Sequence, residues 1–304
     1  MKLPSALFLA FAVVSSMARA QEDSSVAELP AAEARLIMEN PAAARRWSVS
    51  LISENMANAK ALDEWGAQAP VRSVNGIGLI YKASDSTTFE LRPRMEYASN
   101  HERLTGRARL AHDGAIEMAD LMLRAIHGSK VVLGGSKPVV FDLQYYAPTD
   151  RVAQLQKENG LFRLDTSTEW MLSPRWSVGG LVSSRVLLNS SENPKTARGA
   201  DAEYYRVMLI PSLNYAFRDG LSGYYAYYAD VASTDAQRGI WRADAINGAY
   251  HEVGASWTVG SVLLNPYMIS SVSHADASGS LFTAESRVFA FDTIDWGLTI
   301  IAKF

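Results

Sequence analysis

Acidic and basic side chains recur at every second position in several stretches of this sequence. The clearest stretch is residues 87–99, where Glu90, Arg92, Arg94 and Glu96 alternate with mostly apolar residues. Side chains two positions apart on a β-strand point to the same face of the sheet, so such a strand has one charged face. Neighbouring strands of this kind would form a wall that attracts and orients ions. The predicted charged face contains Glu90, Arg92, Arg94, Glu96, Asp120, Arg124, Asp142, Gln144, Arg163, Asp165, Glu169, Arg185, Arg206, Glu252, Asp295 and Lys303.

The overall composition excludes several partners for this charged face. The sequence has 29 lysines and arginines against 32 aspartates and glutamates, a formal net charge of −3. This balance does not favour nucleic acid, which proteins bind through clustered basic residues. The chain has no cysteine, which rules out disulfides and thiolate metal sites, and its five histidines lack metal-ligand spacing. We therefore expect no nucleic acid, no metal and no cofactor.

The N-terminal residues have the composition of a cleavable export signal. Lys2 supplies a positive charge, residues 6–14 are apolar, and residues 18–20 form an A-x-A cleavage site. The apolar run is too short to span a bilayer as a helix, and no later stretch approaches about eighteen apolar residues. Removing residues 1–20 leaves 27 basic and 32 acidic residues, a net charge of −5. The sequence predicts an exported chain that starts at Gln21 and has no transmembrane helix.

The C-terminal residues alternate between apolar and mostly polar side chains up to the end of the chain. Every second residue counted back from the C-terminus is apolar: Phe304, Ala302, Ile300, Leu298, Trp296 and Ile294. Ile301 is the exception among the residues between them. This pattern indicates a strand with one apolar face.

A terminal strand that ends on an aromatic residue, with a glycine eight places from the end, resembles the last strand of Gram-negative outer-membrane β-barrels. In that family the strand is the signal that the barrel-assembly machinery reads. The resemblance implies that the signal here consists of Trp296, Gly297, Leu298, Ile300 and Phe304.

The rest of the chain divides into segments with strand periodicity. The links between them alternate between short turns and longer polar loops, as in outer-membrane barrels. Residues 127–138 are the exception, because this link should be short, although Val131, Val132 and Leu133 could extend a neighbouring strand. The twelve predicted strands are residues 46–55, 71–82, 87–99, 115–126, 139–146, 161–171, 175–188, 203–217, 221–231, 245–259, 261–274 and 292–304.

These patterns predict an all-β fold, a closed antiparallel transmembrane β-barrel of twelve strands with short periplasmic turns and long extracellular loops. An even number of strands places both termini on the periplasmic side. Residues 1–20 are the predicted signal peptide and residues 46–304 the barrel. Residues 21–45, between them, are either a periplasmic leader or a plug that enters the lumen.

Aromatic residues concentrate near the ends of the predicted strands. A periplasmic girdle is predicted at Trp170, Trp176, Tyr215, Phe217, Trp257 and Phe304, and an extracellular one at Tyr97, Tyr204, Tyr205 and Tyr228. The expected partners are outer-membrane lipid, lipopolysaccharide and the barrel-assembly machinery. Gly180, Val182 and Ser184 form a run of mostly small residues that leaves a homotrimer open beside a monomer.

The charged face allows two functions for such a barrel. In a water-filled lumen, the arginines attract anions and the carboxylates oppose them, which predicts a channel for small hydrophilic solutes, anionic ones included. If arginine–carboxylate pairs close the lumen, the barrel is structural or acts through its loops. Twelve strands do not decide between these, because about eight fill with side chains and about sixteen leave an open channel. The predicted solute contacts are Arg92, Arg94, Arg124, Arg163, Arg185 and Arg206.

Two groups of known proteins resemble the predicted barrel over residues 46–304. Small monomeric channels for sugars, acidic oligosaccharides and nucleosides share its architecture, which supports the channel hypothesis. Outer-membrane phospholipase A also has twelve strands, with a histidine and a serine two positions apart and an asparagine further on. His127 and Ser129 have that spacing, but they fall in a predicted periplasmic link, and Phe141 stands near the expected asparagine. There is no G-x-S-x-G, P-loop or H-E-x-x-H motif, so we expect no enzyme.

Overall fold

Fourteen strand segments and one short helix form the described part of the chain. The computed structural model describes residues 46–58, 71–99, 116–155, 158–189, 203–234, 249–272 and 294–304. The predicted signal peptide and leader lie outside these residues. The strands are β1 (Trp47–Asn58), β2 (Val71–Lys82), β3 (Thr87–Arg92), β4 (Arg94–Ser99), β5 (Ile116–Met118), β6 (Leu121–Val132), β7 (Pro138–Ala147), β8 (Glu158–Met171), β9 (Trp176–Asn189), β10 (Glu203–Arg218), β11 (Leu221–Thr234), β12 (Ala249–Val259), β13 (Val262–Val272) and β14 (Ile294–Lys303), and the helix is α1 (Arg151–Leu155).

The fourteen segments make twelve crossings of one closed antiparallel sheet. β3 and β4 form a single crossing that is interrupted at Pro93, and both pair with β2. Proline has no N–H to donate to the ladder, but the Pro93 carbonyl still accepts a hydrogen bond from the Ile77 amide at 3.2 Å. β5 and β6 form the next crossing, pair with β4 and β3 respectively, and are interrupted at Ala119 and Asp120. The predicted barrel of twelve antiparallel crossings is therefore confirmed, with two crossings broken.

The first and last strands close the barrel. Ser50 lies opposite Lys303, and the pairing of β1 with β14 continues to Asn58 opposite Asp295. At the very end of the chain, the Phe304 amide donates to the Val49 carbonyl at 2.9 Å. Closure gives backbone polar groups of the wall a partner within the sheet, as a membrane-spanning sheet requires.

The predicted alternation of short and long connections holds around the barrel. The short turns contain residues 83–86, 133–137, 172–175, 219–220 and 260–261. β6 continues to Val132 and β7 begins at Pro138, so the link expected over residues 127–138 is a short turn as well. Gly134 and Gly135 adopt φ values of 56° and 81° there, which favours glycine over residues with a Cβ atom.

The barrel has apolar residues outside and polar residues inside. On β3, the outward Phe89 and Leu91 are exposed, whereas Glu90 and Arg92 are buried on the opposite face. Other strands also alternate between an exposed and a buried face, but some of their inward residues are apolar, such as Val74 and Ile80 on β2. No helix in the described ranges is long and apolar enough to cross a membrane.

The periplasmic aromatic residues face outward near the short turns. The Tyr215 ring lies 4.7 Å from the Trp176 ring and 5.0 Å from the Phe217 ring, and Trp47 pairs with Tyr81 at 4.7 Å. These residues match the predicted periplasmic girdle and extend it. The prediction for Tyr228 was wrong, because this ring points inward and is buried.

Candidate functional site: the inner wall of the barrel

The inner surface of the barrel is divided into two walls of different chemistry. The charged wall consists of Glu90, Arg92, Arg124, Asp142, Arg163 and Asp165 on β3 and β6–β8. The apolar wall consists of Leu181, Met208, Ile210, Ala226 and Tyr228 on β9–β11. The charged wall was expected from the sequence and the apolar wall was not.

Glu90 is the centre of the charged wall. Its carboxylate accepts hydrogen bonds from Nε and Nη2 of Arg92 at 2.8 and 2.9 Å and from the Ser50 hydroxyl at 3.4 Å. Nη1 of Arg124 lies 3.5 Å from the same carboxylate. Gly78, on the strand between Glu90 and Ser50, leaves the room for this contact, because a Cβ at position 78 would collide with both side chains.

Arg124 connects Glu90 on β3 to Asp142 on β7. Its Nε and Nη2 atoms donate to the Asp142 carboxylate at 2.9 and 2.6 Å, and Gln144 donates to the same carboxylate at 3.0 Å. The Tyr146 hydroxyl donates to Gln144, and its ring lies 5.6 Å from the Arg94 guanidinium. Burial of ions costs several kcal/mol each unless they are paired and hydrogen-bonded, and these contacts meet that condition.

The register places three arginines side by side on neighbouring strands. Arg163 lies directly opposite Arg185, and Arg185 lies directly opposite Arg206. Nε of Arg163 donates to Asp165 at 2.9 Å. Neighbouring strands are about 4.8 Å apart, so this row concentrates positive charge within about 10 Å of wall. Three of the six arginines predicted to contact a solute therefore lie side by side on the inner wall.

The lumen is wetter on its extracellular side than at its centre. Arg72 binds Glu96 at 2.6 Å near the long-loop ends of β2 and β4, and Arg94 lies 4.0 Å from Glu54. These four side chains are 12–19 % exposed. Glu90 and Arg124, nearer the periplasm, are at most 4 % exposed. Solvent therefore reaches the charges of the extracellular half more easily than those of the centre.

The apolar wall is bordered by a buried carboxylate, Glu252, which is 0 % exposed. It accepts hydrogen bonds from the Tyr224 and Tyr228 hydroxyls at 2.6 and 2.7 Å. Asn265 donates to Tyr224 at 3.1 Å and accepts from Ser256 at 2.8 Å. Glu252 thus faces the lumen as predicted, but its partners are tyrosines rather than arginines.

Glycines allow two luminal tyrosines to lie flat against the wall. Gly254 is directly opposite Tyr224, and Gly297 is directly opposite Tyr267. A Cβ at either glycine would collide with the tyrosine ring. Gly297, which the resemblance assigned to an assembly signal, therefore also makes room for an inward-facing ring.

The structure places nearly all predicted inner-wall residues on the inner face. Gln144, Glu169 and Lys303 are buried there, and Arg185, Arg206 and Asp295 are partly exposed. The exception is Asp120, which lies in the break between β5 and β6 rather than within a strand. On the terminal strand, Trp296, Leu298 and Phe304 are exposed on the outer face and Ile300 lies on the same face, while Ile301 packs inward against Ile52 and Leu263.

Sequence reasoning missed the inward apolar residues for a specific reason. The run Val207, Met208, Leu209 and Ile210 is apolar on both faces, so periodicity does not separate the lipid-facing pair from the luminal pair. In the structure, Leu209 is exposed on the outer face, whereas Met208 and Ile210 are buried on the inner face. Ile301 was visible in the sequence as a break in the alternation, and such breaks mark inward apolar positions here.

The phospholipase-like spacing does not bring its residues together in the described structure. His127 Nδ1 lies 3.0 Å from the Thr87 hydroxyl, and the Ser129 hydroxyl accepts from the Val131 amide at 3.1 Å. Phe141 lies directly opposite His127. In the described ranges, no group of three His, Asp or Glu side chains could hold a metal ion.

Comparison with known proteins finds likeness only at the level of structure. No protein-family model and no curated protein sequence matches the chain. Among solved structures, the NanC porin is 5 % identical, with 84 % of this chain and 100 % of that chain covered and a TM-score of 0.46. The KdgM porin, solved with disordered oligogalacturonate, is 8 % identical, with coverages of 84 % and 99 % and a TM-score of 0.42. The Salmonella typhi outer-membrane phospholipase dimer with bound calcium is 12 % identical, with coverages of 88 % and 96 % and a TM-score of 0.39.

All three TM-scores are below 0.5, so the fold is assigned from the sheet itself. The sheet closes between β1 and β14, its crossings are antiparallel, and its outer face is apolar while charged residues lie inside. This combination is the architecture of outer-membrane β-barrels. The chain therefore has the fold of an outer-membrane β-barrel.

Proposed function

We propose that this barrel is a passive outer-membrane channel for small hydrophilic solutes, with a preference for anions. The observation that carries the proposal is the row of Arg163, Arg185 and Arg206 on the inner wall. The row places three positive charges on neighbouring strands, and Arg163 also pairs with Asp165. Positive charge on the wall of a pore raises the local concentration of anions, which a channel uses for selectivity.

The exposure of the inner side chains supports an entry from the extracellular side. Arg72, Glu96, Arg94 and Glu54 are partly exposed there, and the central network below them is almost fully buried. A solute would therefore pass from a partly exposed, charged entrance to a centre where the side chains are almost fully buried. The exposed apolar exterior, for example Leu79, supports an outer-membrane location, with lipid and lipopolysaccharide as neighbours.

The test is the current through the refolded mature protein in a planar bilayer. We expect stepwise single-channel currents, and a reversal potential in a salt gradient that indicates anion preference. Replacement of Arg92 and Arg94 with alanine should move the reversal potential toward cation preference. An unchanged reversal potential would remove these two arginines from the pore.

One observation favours a second function, a barrel with a closed lumen that acts through its long loops. Glu90, Arg92, Arg124 and Asp142 form a continuous, nearly inaccessible network at the centre of the barrel. A barrel that folds, as shown by a shift in gel mobility on heating, and yet carries no current would favour this second function over the channel.

A further inference from the structure

We infer that the extracellular half of the lumen contains a binding subsite for an anion with an apolar ring, formed around Arg185 and Arg206. The two side chains lie directly opposite each other on β9 and β10. Both are partly exposed, in contrast to the buried Arg163 beside them. The strands that carry the two arginines are about 4.8 Å apart, and two guanidinium groups on neighbouring strands can each donate to a carboxylate that lies between them. The inference rests on the proposed channel, since the ligand enters through the lumen.

The neighbours of this arginine pair toward the extracellular end are apolar. Leu187 is the next inward residue on β9, and it lies directly opposite Leu161 on β8. Both leucines are partly exposed on the luminal face. A polar lumen that served only hydrated ions would not need leucines beside its arginines. Their position provides an apolar surface within reach of a group attached to a bound carboxylate.

On β10, the neighbour of the arginine pair toward the periplasmic end is apolar as well. Met208 follows Arg206 on the inner face of β10, and it packs with Leu181 and Tyr228 in the apolar wall. Tyr250, on β12, is partly exposed and packs against the same cluster. Toward the periplasm, the arginine pair is therefore bordered by the apolar Met208 on β10 and by the buried Ser183 on β9.

This arrangement selects for ligands that combine charge and apolar area. A small carboxylate such as acetate can use only the guanidinium groups. A ring carboxylate such as benzoate can also remove apolar surface from water against Leu187, and burial of apolar surface is favourable in proportion to its area. A neutral ring such as benzamide lacks the charge. The structure therefore predicts tighter binding of benzoate than of either matched compound.

The experiment is calorimetric titration of the refolded mature chain in detergent micelles with benzoate, acetate and benzamide. Titration of empty micelles corrects for partition into detergent. Benzoate should bind at least tenfold more tightly than acetate and benzamide, a difference of about 1.4 kcal/mol. Equal binding of benzoate and acetate would leave only a site for any anion, and equal binding of benzoate and benzamide would leave only an apolar site. Either result overturns the subsite.

Variants locate the binding within the barrel. The double variant Arg185→Gln and Arg206→Gln should lose at least tenfold in benzoate affinity, and Leu187→Asn should weaken benzoate but not acetate. Arg218→Gln removes an exposed arginine at a periplasmic turn and should change neither. If the double variant does not show the heat-modifiable mobility of a folded barrel, Leu187→Asn still tests the apolar part. Unchanged benzoate affinity in folded Leu187→Asn would overturn the proposal.

The titration and the bilayer measurement test the subsite and the channel independently. Selective benzoate binding by a barrel that carries no current would overturn the channel and leave the subsite. Normal currents without any preference for benzoate over acetate would overturn the subsite and leave the channel.

Discussion

Arg124 is the residue whose loss should damage the charged wall most, because it contacts carboxylates on both neighbouring strands. It donates to Asp142 and lies 3.5 Å from Glu90, and all three side chains are almost fully buried. Replacement with methionine keeps most of the volume and removes the charge. Removing one partner of a buried ion pair costs about 3–5 kcal/mol, because the remaining charge stays buried without compensation. We expect Arg124→Met to lower the free energy of unfolding by about that amount.

Urea unfolding of the barrel in lipid vesicles, followed by tryptophan fluorescence, measures this change. Arg218→Met is the matched control, because Arg218 is exposed at a periplasmic turn, and its replacement should change stability by less than about 0.5 kcal/mol. Equal stability of the two variants would mean that the ion pairs of the charged wall do not stabilise the barrel.

Gly297 gives a second residue-scale prediction. A Cβ at this position would collide with the Tyr267 ring, which is buried on the luminal face. Overpacking typically costs about 1–3 kcal/mol, so Gly297→Ala should lower the urea midpoint of unfolding. Gly180→Ala is the control, since a Cβ there would meet the Trp170 ring at an ordinary distance of 3.5 Å. If both variants unfold at the same urea concentration, Tyr267 can move aside without cost.

At the scale of the strand, the sequence predicted the barrel well because lipid imposes a simple pattern. A strand between lipid and a polar lumen must alternate, and the predicted bounds of the second strand, residues 71–82, match β2. The interruption at Pro93 and the one at Ala119 and Asp120 were not predicted. The period of two continues through Pro93 and conceals that break. At Ala119 and Asp120 the alternation shifts by one residue, because the outward positions change from Ile116 and Met118 to Leu123.

The inner face was predicted less well than the outer face. Its charged residues were found because charge cannot face lipid. Its apolar residues, such as Met208, Leu263 and Ile301, were not found, because an apolar side chain is acceptable on either face of the wall. Periodicity alone does not show which strands pair, and therefore it does not show which side chains touch. The contact between Glu252 and Tyr224 is an example.

The terminal strand supports a prediction about assembly. Phe304→Ala keeps the backbone hydrogen bonds to Val49 that close the barrel, so refolding of the purified chain should be unchanged. If the assembly machinery reads this aromatic residue, less folded barrel should reach the outer membrane of cells. Immunoblots of membrane fractions measure this amount, and heat-modifiable mobility measures the refolding yield.

Trp257→Ala is the control for the terminal strand, because it removes another exposed aromatic residue near a periplasmic turn. It should leave both assembly and refolding unchanged. Equal assembly of Phe304→Ala and Trp257→Ala would argue against the C-terminal signal.

At the scale of the whole molecule, the two walls make the lumen asymmetric. The charged wall occupies β3 and β6–β8, and the apolar wall occupies β9–β11. Paired charges can reorganise around a solute at little cost only where water reaches them, which in this structure is the extracellular half. In the proposed channel, the centre would therefore limit passage, and its hydration decides between an open channel and a closed barrel.

Single cysteines can map that hydration, because the natural sequence contains none. Three positions represent the three environments: Glu96 in the extracellular half, Ser183 at the buried centre and Val182 on the outer face, with exposures of 19 %, 0 % and 41 %. A charged thiol reagent reacts through water and not through lipid. In membranes, Glu96→Cys should therefore react at least tenfold faster than Val182→Cys, and the rate of Ser183→Cys separates the proposed open channel from a closed barrel. Fast reaction of Val182→Cys would contradict the assignment of Val182 to the lipid-facing side of the barrel. Fast reaction of Ser183→Cys would mean that water fills the centre and that the lumen is an open pore.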